Sequence, residues 1–191
     1  MAGLVARFGP IHQDGTGPRP DLYSALLRAI TGQQLSVKAA QAIHGRLLAR
    51  FGGRSPTPEE LLADDPEEMR AAAGLSHAKV ASLRSLAEHV VAGDLEIDRL
   101  EALDDDEVTR ALVAVKGIGG WTAQMFLMFT LHRPDVVATG DQGIRNAAMR
   151  AYGLDHLPDA DTLTALAEPW RPYRTRACLY LWRSLDNAPL P

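Results

Sequence analysis

Cysteine is almost absent from this sequence, since Cys178 is the only one among 191 residues. A single cysteine excludes an internal disulfide framework, and it excludes a four-cysteine zinc or iron–sulfur site. Long uninterrupted apolar runs are also absent, and residues 1–7 lack the apolar core of a secretory signal. These absences predict a soluble cytoplasmic protein with no membrane partner.

Patterns typical of β-strands are equally scarce. The only β-like segment is Val136-Val137-Ala138, which is too short to predict a strand. Apolar residues recur instead at helical spacing, bounded by capping residues and glycines. N-terminal capping signals stand at Thr57, Asp65 and Asp104. The sequence predicts an all-α fold with helices over 21–30, 36–51, 76–91, 104–115, 121–131 and 142–151, and within 169–186.

The net charge of −4 argues at first against a nucleic-acid partner. The charges are unevenly distributed, however, because residues 61–110 hold 5 Lys and Arg against 13 Asp and Glu. The rest of the chain is therefore net basic, and a protein can bind a polyanion on one face while another face is acidic. This pattern permits DNA binding, although ordinary solvated helix faces explain it equally well.

A glycine-rich turn between two predicted helices is the first candidate site. In Val115-Lys116-Gly117-Ile118-Gly119-Gly120-Trp121, the glycines allow close approach and backbone dihedrals that other residues avoid. Amides at the start of the second helix would point outward beside a positive dipole end, which suits a DNA phosphate. A plain glycine-terminated helix turn is the alternative. The candidate phosphate-binding residues are Gly117, Ile118, Gly119, Gly120 and Thr122.

Asp141 is the second candidate. It follows the turn by about twenty residues, in Thr139-Gly140-Asp141, where a helix is predicted to begin. For an isolated Asp, an N-cap role is the simpler interpretation. The functional alternative is a carboxylate held at the mouth of a cleft.

Three ordered segments together resemble a known family. They are Gly32-Gln33-Gln34-Leu35-Ser36, Lys116-Gly117-Ile118-Gly119-Gly120-Trp121-Thr122-Ala123 and Thr139-Gly140-Asp141. In this order and spacing they resemble the helix–hairpin–helix DNA glycosylases, specifically the alkylpurine branch (3-methyladenine DNA glycosylase II, AlkA-like), over roughly residues 20–186. The resemblance implies a two-lobed helical bundle with a DNA-binding cleft between the lobes, and it implies that Asp141 is catalytic.

The resemblance also implies a domain organisation. Residues 1–18, with Gly15, Gly17 and Pro18, read as a flexible N-terminal arm. Residues 19–191 would form a single glycosylase domain with the hairpin at 112–131. Since few residues precede this domain, a minimal version without an extra N-terminal domain is expected.

The residue after the hairpin distinguishes branches of the family. Bifunctional members carry a lysine nucleophile two residues after the second hairpin glycine, and here that position is Trp121. The resemblance therefore implies an enzyme without lyase activity. Trp121 would line the base pocket and stack on a cationic base, together with Met125, which replaces a tyrosine of the branch, and Trp182. A branch arginine corresponds to Ala147, and Arg145 is an alternative phosphate contact or a surface residue.

The segment Gly32–Ser36 resembles the loop that enters the minor groove. In the family a side chain here fills the gap left by the flipped nucleotide. Gln34 is the positional match for this wedge, Leu35 lies beside it, and Ser36 could probe base edges or cap the next helix.

The predicted function is a monofunctional DNA glycosylase of base excision repair, acting as a monomer on double-stranded DNA with alkylated bases. Such an enzyme would be associated with the nucleoid if the source is bacterial. It would flip out 3-methyladenine or 7-methylguanine type purines and hydrolyse their N-glycosidic bond. No cofactor is required, but the resemblance suggests structural Na⁺ or K⁺ at the carbonyls of Val113, Val115 and Ile118. A non-enzymatic DNA-binding hairpin module and a glycosylase for another lesion, such as a mismatched or oxidised base, remain alternatives.

Overall fold

The computed structural model describes residues 1–11 and 21–185, and these are helical with no strand among them. The all-α prediction is therefore confirmed, and Val136–Ala138 is not a strand within the described chain. Two short 3₁₀ segments cover Ile97–Arg99 and Glu168–Trp170. The α-helices are α1 Ala2–Phe8, α2 Leu22–Gly32, α3 Val37–Arg50, α4 Pro58–Ala63, α5 Pro66–Ala73, α6 His77–Ala92, α7 Asp105–Val113, α8 Gly120–Phe129, α9 Gln142–Tyr152, α10 Ala160–Ala167 and α11 Arg174–Leu185.

The helices begin at the capping residues that the sequence predicts. Thr57 and Asp104 form complete capping boxes with Glu60 and Glu107, each exchanging two hydrogen bonds with its partner. The Asp65 carboxylate accepts the backbone N–H groups of the first turn of α5. Since each cap satisfies backbone donors that the helix itself cannot, these local signals fix where the helices start.

Two compact units make up the chain. The described residues 21–126 form one, here called the central unit, while residues 1–11 and 127–185 form the other, the terminal unit. The boundary lies inside α8, after Phe126. Of the described helices, none combines the length and the apolar character needed to cross a membrane.

The central unit is organised around α6. This helix packs against α2, α4 and α5, and its Leu83 and Leu86 are fully buried. Leu26, Leu27 and Ile30 of α2 are also fully buried. Burial of each such side chain contributes roughly 1.5–3 kcal/mol, so this apolar core holds the elements that carry the hairpin.

The terminal unit is built on α11, which packs against α9 and α1. Its core includes Ile144 and Ala148 of α9, and Cys178 and Leu181 of α11. Burial raises the pKa of the Cys178 thiol to about 11, so the side chain is a neutral core group at neutral pH. The start of α11 is fixed by Asp135, which accepts hydrogen bonds from the Arg174 guanidinium at 2.7 and 3.1 Å.

Two parts of the terminal unit differ from the sequence predictions. The expected flexible arm contains α1, and the chain after it is tied down: Tyr180 Oη donates to the Gly9 carbonyl at 2.7 Å and accepts the Ile11 N–H at 3.1 Å. Residues 12–18 of the predicted arm lie outside the described residues. Helix α10 was not predicted, although Asp159 caps it by accepting the Thr162 N–H at 2.8 Å.

Candidate functional site

The glycine turn between α7 and α8 is a tight hairpin. The Val115 N–H donates to the Leu112 carbonyl at 3.1 Å, and the Ile118 N–H donates to the Val115 carbonyl at 3.0 Å. Gly117 lies between them with φ +85°, in the left-handed region that side chains avoid. A Cβ on Gly117 would also stand 2.0 Å from Ser82 Oγ. Glycine is therefore required at 117 both by its backbone and by its contact with α6.

Helix α6 supports the hairpin with two buried serines. Ser85 Oγ accepts the Lys116 N–H at 3.1 Å, while Ser82 donates to the Ala78 carbonyl of its own helix at 2.9 Å. The Ile118 side chain is buried, which leaves Gly119 and Gly120 on the surface. The first turn of α8 thus opens at an exposed, glycine-rich edge, where helix amides and the helix dipole favour an anion.

The predicted wedge loop leads from α2 to α3 in the same unit. Gln34 is exposed with φ +56°, a left-handed conformation that costs a non-glycine residue of the order of 1 kcal/mol. Leu35 is 39% exposed, and Ser36 caps α3 by accepting the Ala39 N–H at 3.3 Å. The cap role expected for Ser36 is confirmed. Strained backbone conformations gather at functional sites, so the geometry of Gln34 supports its candidacy as the wedge.

Gln33, which the sequence analysis did not single out, joins this loop to the hairpin. Its amide nitrogen Nε2 lies 2.9 Å from the Gly117 carbonyl and 3.3 Å from Thr122 Oγ1. No local pattern signals this bond, because its partners are 84 and 89 residues away. The Thr122 side chain is buried and faces Gln33, so only its backbone remains as a phosphate-binding group.

Two candidate pocket residues lie on α8. Trp121, the second residue of the helix, is 45% exposed, whereas Met125 is partly buried one turn later. Trp121 therefore presents a large aromatic surface to solvent at the hairpin edge. A tryptophan that served only the core would be buried, so this exposure argues against a purely structural role.

Asp141 is the N-cap of α9 in the terminal unit, as the simpler interpretation predicted. Its Oδ1 accepts the backbone N–H of Ile144 at 2.8 Å. The same oxygen accepts the indole Nε1–H of Trp182 at 2.9 Å. Capping and a role in chemistry are compatible here, because the two donors orient the carboxylate.

Trp182 is thus placed beside the candidate catalytic carboxylate. Its ring also packs against Phe129, with 5.9 Å between ring centroids and an interplanar angle of 31°. Gly143 gives the pair its room, since a Cβ there would stand 3.0 Å from Asp141 Oδ1 and 3.3 Å from Trp182 Cδ1. Sequence reasoning missed Phe129 and Gly143, whose roles depend on contacts across the fold.

The two positions on α9 that were considered for a phosphate contact, 145 and 147, both interact with other parts of the protein. Ala147 is buried in the core of the terminal unit. Arg145 donates through Nε to the Pro158 carbonyl at 2.7 Å. This bond ties the Arg145 side chain to the segment before α10 and gives it a structural role.

The candidate cation ligands are backbone carbonyls at the end of α7 and in the hairpin. The carbonyls in the last turn of a helix lack intrahelical partners, and carbonyl oxygen is a ligand suited to hard cations. Val113, the last residue of α7, fits this description, and Val115 and Ile118 stand in the tight turn that follows. Within residues 1–11 and 21–185, no group of three or more His, Cys, Asp or Glu side chains is placed to hold a metal.

Comparison with known proteins identifies the family. Residues 27–172 match the HhH-GPD superfamily of base excision DNA repair proteins. The DNA-3-methyladenine glycosylase 1 of Schizosaccharomyces pombe is 37% identical over 183 residues, covering 95% of this chain and 80% of that protein.

Two solved structures agree with this assignment. The 3-methyladenine DNA glycosylase of S. pombe in complex with abasic DNA is 35% identical, with a TM-score of 0.84 over 100% of this chain and 93% of that one. The DNA-3-methyladenine glycosidase of Bacillus halodurans is 37% identical, with a TM-score of 0.85 over 97% of this chain and 84% of that one. The resemblance predicted from the three segments is confirmed, and the chain belongs to the HhH-GPD superfamily of base excision DNA repair proteins.

Proposed function

We propose that this protein is a monofunctional DNA glycosylase that releases alkylated purines from double-stranded DNA and leaves an abasic site. The observation that carries the proposal is the Asp141 carboxylate, whose Oδ1 accepts N–H groups from Ile144 and Trp182. Two donors from different parts of the chain hold this carboxylate in one orientation. The relatives named as 3-methyladenine DNA glycosylases support alkylated bases as the substrate class.

The chemistry follows from the charge of the damaged base. Alkylation at N3 or N7 makes the purine cationic, so it leaves with the bonding electrons as a neutral base and needs little acid catalysis. The sugar that remains has oxocarbenium character, and the Asp141 carboxylate stabilises that positive charge. Water then adds at the sugar carbon, and Asp141 can accept its proton as a general base. The products are the free base and an abasic site.

The absence of a lyase step rests on the position after the hairpin. A lyase needs an amine that attacks the sugar carbon to form a Schiff base. Trp121 occupies the position where bifunctional members carry their lysine. The nearest lysine in sequence is Lys116, which precedes the hairpin glycines. Hydrolysis is therefore the reaction that these residues favour.

The exposed face of Trp121 suits recognition of a cationic base. An aromatic face attracts a positive charge by about 0.5–2 kcal/mol, depending on solvation. Since a normal neutral purine gains less from the same contact, this stacking favours 3-methyladenine and 7-methylguanine type lesions. Base flipping adds selectivity, because a damaged pair opens at a lower energetic cost.

The hairpin would hold the DNA backbone. We propose that the exposed edge at Gly119 and Gly120 binds a phosphate through the first amides of α8. Na⁺ or K⁺ held by the carbonyls of Val113, Val115 and Ile118 would add positive charge beside that phosphate and serve a structural role. We expect the protein to act as a monomer.

The decisive experiment measures base release from methylated duplex DNA by chromatography. Wild type is expected to release methylpurines, and Asp141→Asn is expected to bind abasic-site DNA without releasing them. The asparagine carbonyl can still accept the Ile144 and Trp182 N–H groups, so the fold should persist. Asp159→Asn is the matched control, because Asp159 caps α10 with the same geometry and should retain activity.

The outcomes separate the alternatives. Excision retained by Asp141→Asn would contradict the catalytic assignment. Tight DNA binding by wild type without release of any base would favour a non-enzymatic hairpin module. Release of a mismatched or oxidised base, but not of a methylpurine, would favour a glycosylase for another lesion.

A further inference from the structure

Gln33 joins two segments to which the proposed function gives different roles, the wedge loop and the glycine hairpin. Its Nε2 donates to the Gly117 carbonyl at 2.9 Å and to Thr122 Oγ1 at 3.3 Å. Gly117 begins the phosphate-binding turn, and Thr122 lies in the first turn of α8. The side chain of Gln33 therefore contacts both ends of the candidate anion site, while its backbone belongs to the wedge loop.

The hairpin side of this junction is closely packed. Gly117 is in van der Waals contact range of Ser82, so close that a Cβ would stand 2.8 Å from the Ser82 Cβ. Thr122 is 6% exposed and is held by the core of the central unit. The Gln33 side chain is therefore bound to two closely packed groups of the hairpin.

The loop side is held at its ends and strained between them. Lys79 Nζ donates to the Thr31 carbonyl at 2.7 Å, just before the loop. Ser36 caps α3 just after it. Between these points Gln34 takes the left-handed conformation with φ +56°, which needs support from its surroundings to persist. Gln33 immediately precedes Gln34, and its side chain is bound to the hairpin.

We propose that Gln33 is a positioning residue that couples the phosphate-binding hairpin to the wedge, so that gripping the DNA backbone sets the Gln34 side chain for insertion. This inference rests on the proposed function for the roles of hairpin and wedge. The amide nitrogen is suited to the task because its two hydrogens can serve two acceptors at once. Gln33 itself need not touch the DNA.

The test separates wedge insertion from backbone binding. Gln33→Met keeps the length of the side chain but removes both hydrogen bonds, and Gln41→Met on the exposed face of α3 makes the same replacement as a control. Insertion is followed by the fluorescence of 2-aminopurine placed beside an abasic-site analogue in duplex DNA. Affinity for undamaged duplex reports binding without wedge insertion.

Gln33→Met is expected to slow the fluorescence rise about tenfold, which corresponds to about 1.4 kcal/mol and is within the range that two lost hydrogen bonds allow. Its affinity for undamaged duplex should stay within about twofold of wild type, since the hairpin is held independently by Ser82 and Ser85. Thr122→Val removes one of the two acceptors and should give a smaller effect in the same direction. Gln41→Met should match wild type.

Wild-type fluorescence kinetics in Gln33→Met would overturn the proposal. Equal losses of fluorescence and of undamaged-duplex affinity would also overturn it, because Gln33 would then only support the hairpin. Base release is measured separately on methylated DNA. If wild type opens the duplex but releases no methylpurine, the proposed function fails while the coupling by Gln33 stands on the fluorescence result.

Discussion

Trp182 donates its indole N–H to Oδ1 of Asp141 at 2.9 Å, across 41 residues of sequence. The same oxygen accepts the Ile144 N–H at 2.8 Å, so two donors from different helices fix one carboxylate oxygen. A hydrogen bond to a charged acceptor is stronger than a neutral one, and here it sets the direction of the carboxylate. Trp182 is therefore a positioning residue for the proposed chemistry in addition to a candidate wall of the base pocket.

Trp182→Phe tests this relationship. The phenyl ring can retain the packing against Phe129, but it has no N–H to donate to Asp141. We expect kcat for methylpurine release to fall about tenfold or more, because hydrogen bonds to charged groups contribute roughly 1.5–3 kcal/mol. Single-turnover base release measures the effect, and the melting temperature should change by only a few degrees.

Trp170→Phe is the matched control in the same unit. Trp170 donates its indole N–H to Tyr152 Oη at 2.9 Å and packs against that ring, so the replacement also removes an indole hydrogen bond, here to a neutral acceptor. It should leave kcat unchanged. Equal activity in both variants would argue that Trp182 does not position Asp141.

The caps show what the sequence could establish in advance. Thr57, Ser76 and Asp104 bind amides within three residues of themselves, so the helices they begin follow from local patterns. The bonds of Gln33 to the hairpin and of Trp182 to Asp141 join residues that are far apart in the chain. Such bonds depend on how helices pack, which a single sequence does not encode in any local spacing.

Helix α1 shows a second limit of prediction from sequence. Helix α1 has no side-chain cap, and it is bound to α11 through contacts such as Tyr180 with Gly9. The glycines and prolines that follow favour a loose arm, and this composition outweighs any helical signal in residues 2–8. Tertiary contacts decide the outcome there, as they do for most short helices.

Gly117→Ala and Gly119→Ala should separate the folding role of the hairpin from its DNA-binding role. A Cβ on Gly117 would clash with Ser82 Oγ at 2.0 Å in a left-handed backbone, whereas a Cβ on Gly119 meets nothing within 4 Å. We expect Gly117→Ala to lose about 2 kcal/mol or more of unfolding free energy. Urea unfolding measures this loss.

Gly119→Ala should unfold like wild type but bind duplex DNA more weakly, because its methyl group lies on the exposed edge proposed to face a phosphate. Fluorescence anisotropy with labelled duplex measures the affinity. Similar stability losses in both variants would contradict the distinct roles drawn from the geometry. Unchanged DNA affinity in Gly119→Ala would remove residue 119 from the proposed phosphate site.

Asp135 should make the stability of the terminal unit depend on acid pH. Burial alone would raise the pKa of this carboxyl, but the hydrogen bonds and charge of Arg174, with the charge of Arg171, hold it below its ordinary value of 3.8. Since the folded-state pKa is lowered, the stabilisation is present above the unfolded pKa and is lost as pH falls through the folded one. We expect the unfolding free energy to fall progressively below about pH 4.

Asp135→Asn removes this contribution at every pH. The variant should be less stable than wild type at pH 7, and its urea midpoint should depend less steeply on pH below about 4. Asp155→Asn, at an exposed carboxylate of the same unit, is the control and should follow the wild-type curve. A wild-type acid profile in Asp135→Asn would show that the ion pairs with Arg171 and Arg174 contribute nothing to stability.

Gln34→Gly should separate the strain of the wedge loop from the function of its side chain. Glycine takes φ +56° without penalty, which relieves about 1 kcal/mol, but it also loosens the unfolded chain by a similar amount. The melting temperature should therefore stay within a few degrees of wild type. Methylpurine release should nevertheless fall about tenfold or more, because no side chain fills the space left by the flipped base.

Leu35→Ala is the companion variant that decides which side chain is the wedge. Leu35 is partly exposed beside Gln34 and has an ordinary backbone conformation, so its truncation changes the side chain without changing strain. If Gln34 is the wedge, Leu35→Ala should slow base release less than Gln34→Gly does. The reverse order, with wild-type kinetics in Gln34→Gly, would assign insertion to Leu35. The left-handed backbone at Gln34 would then serve to orient the Leu35 side chain.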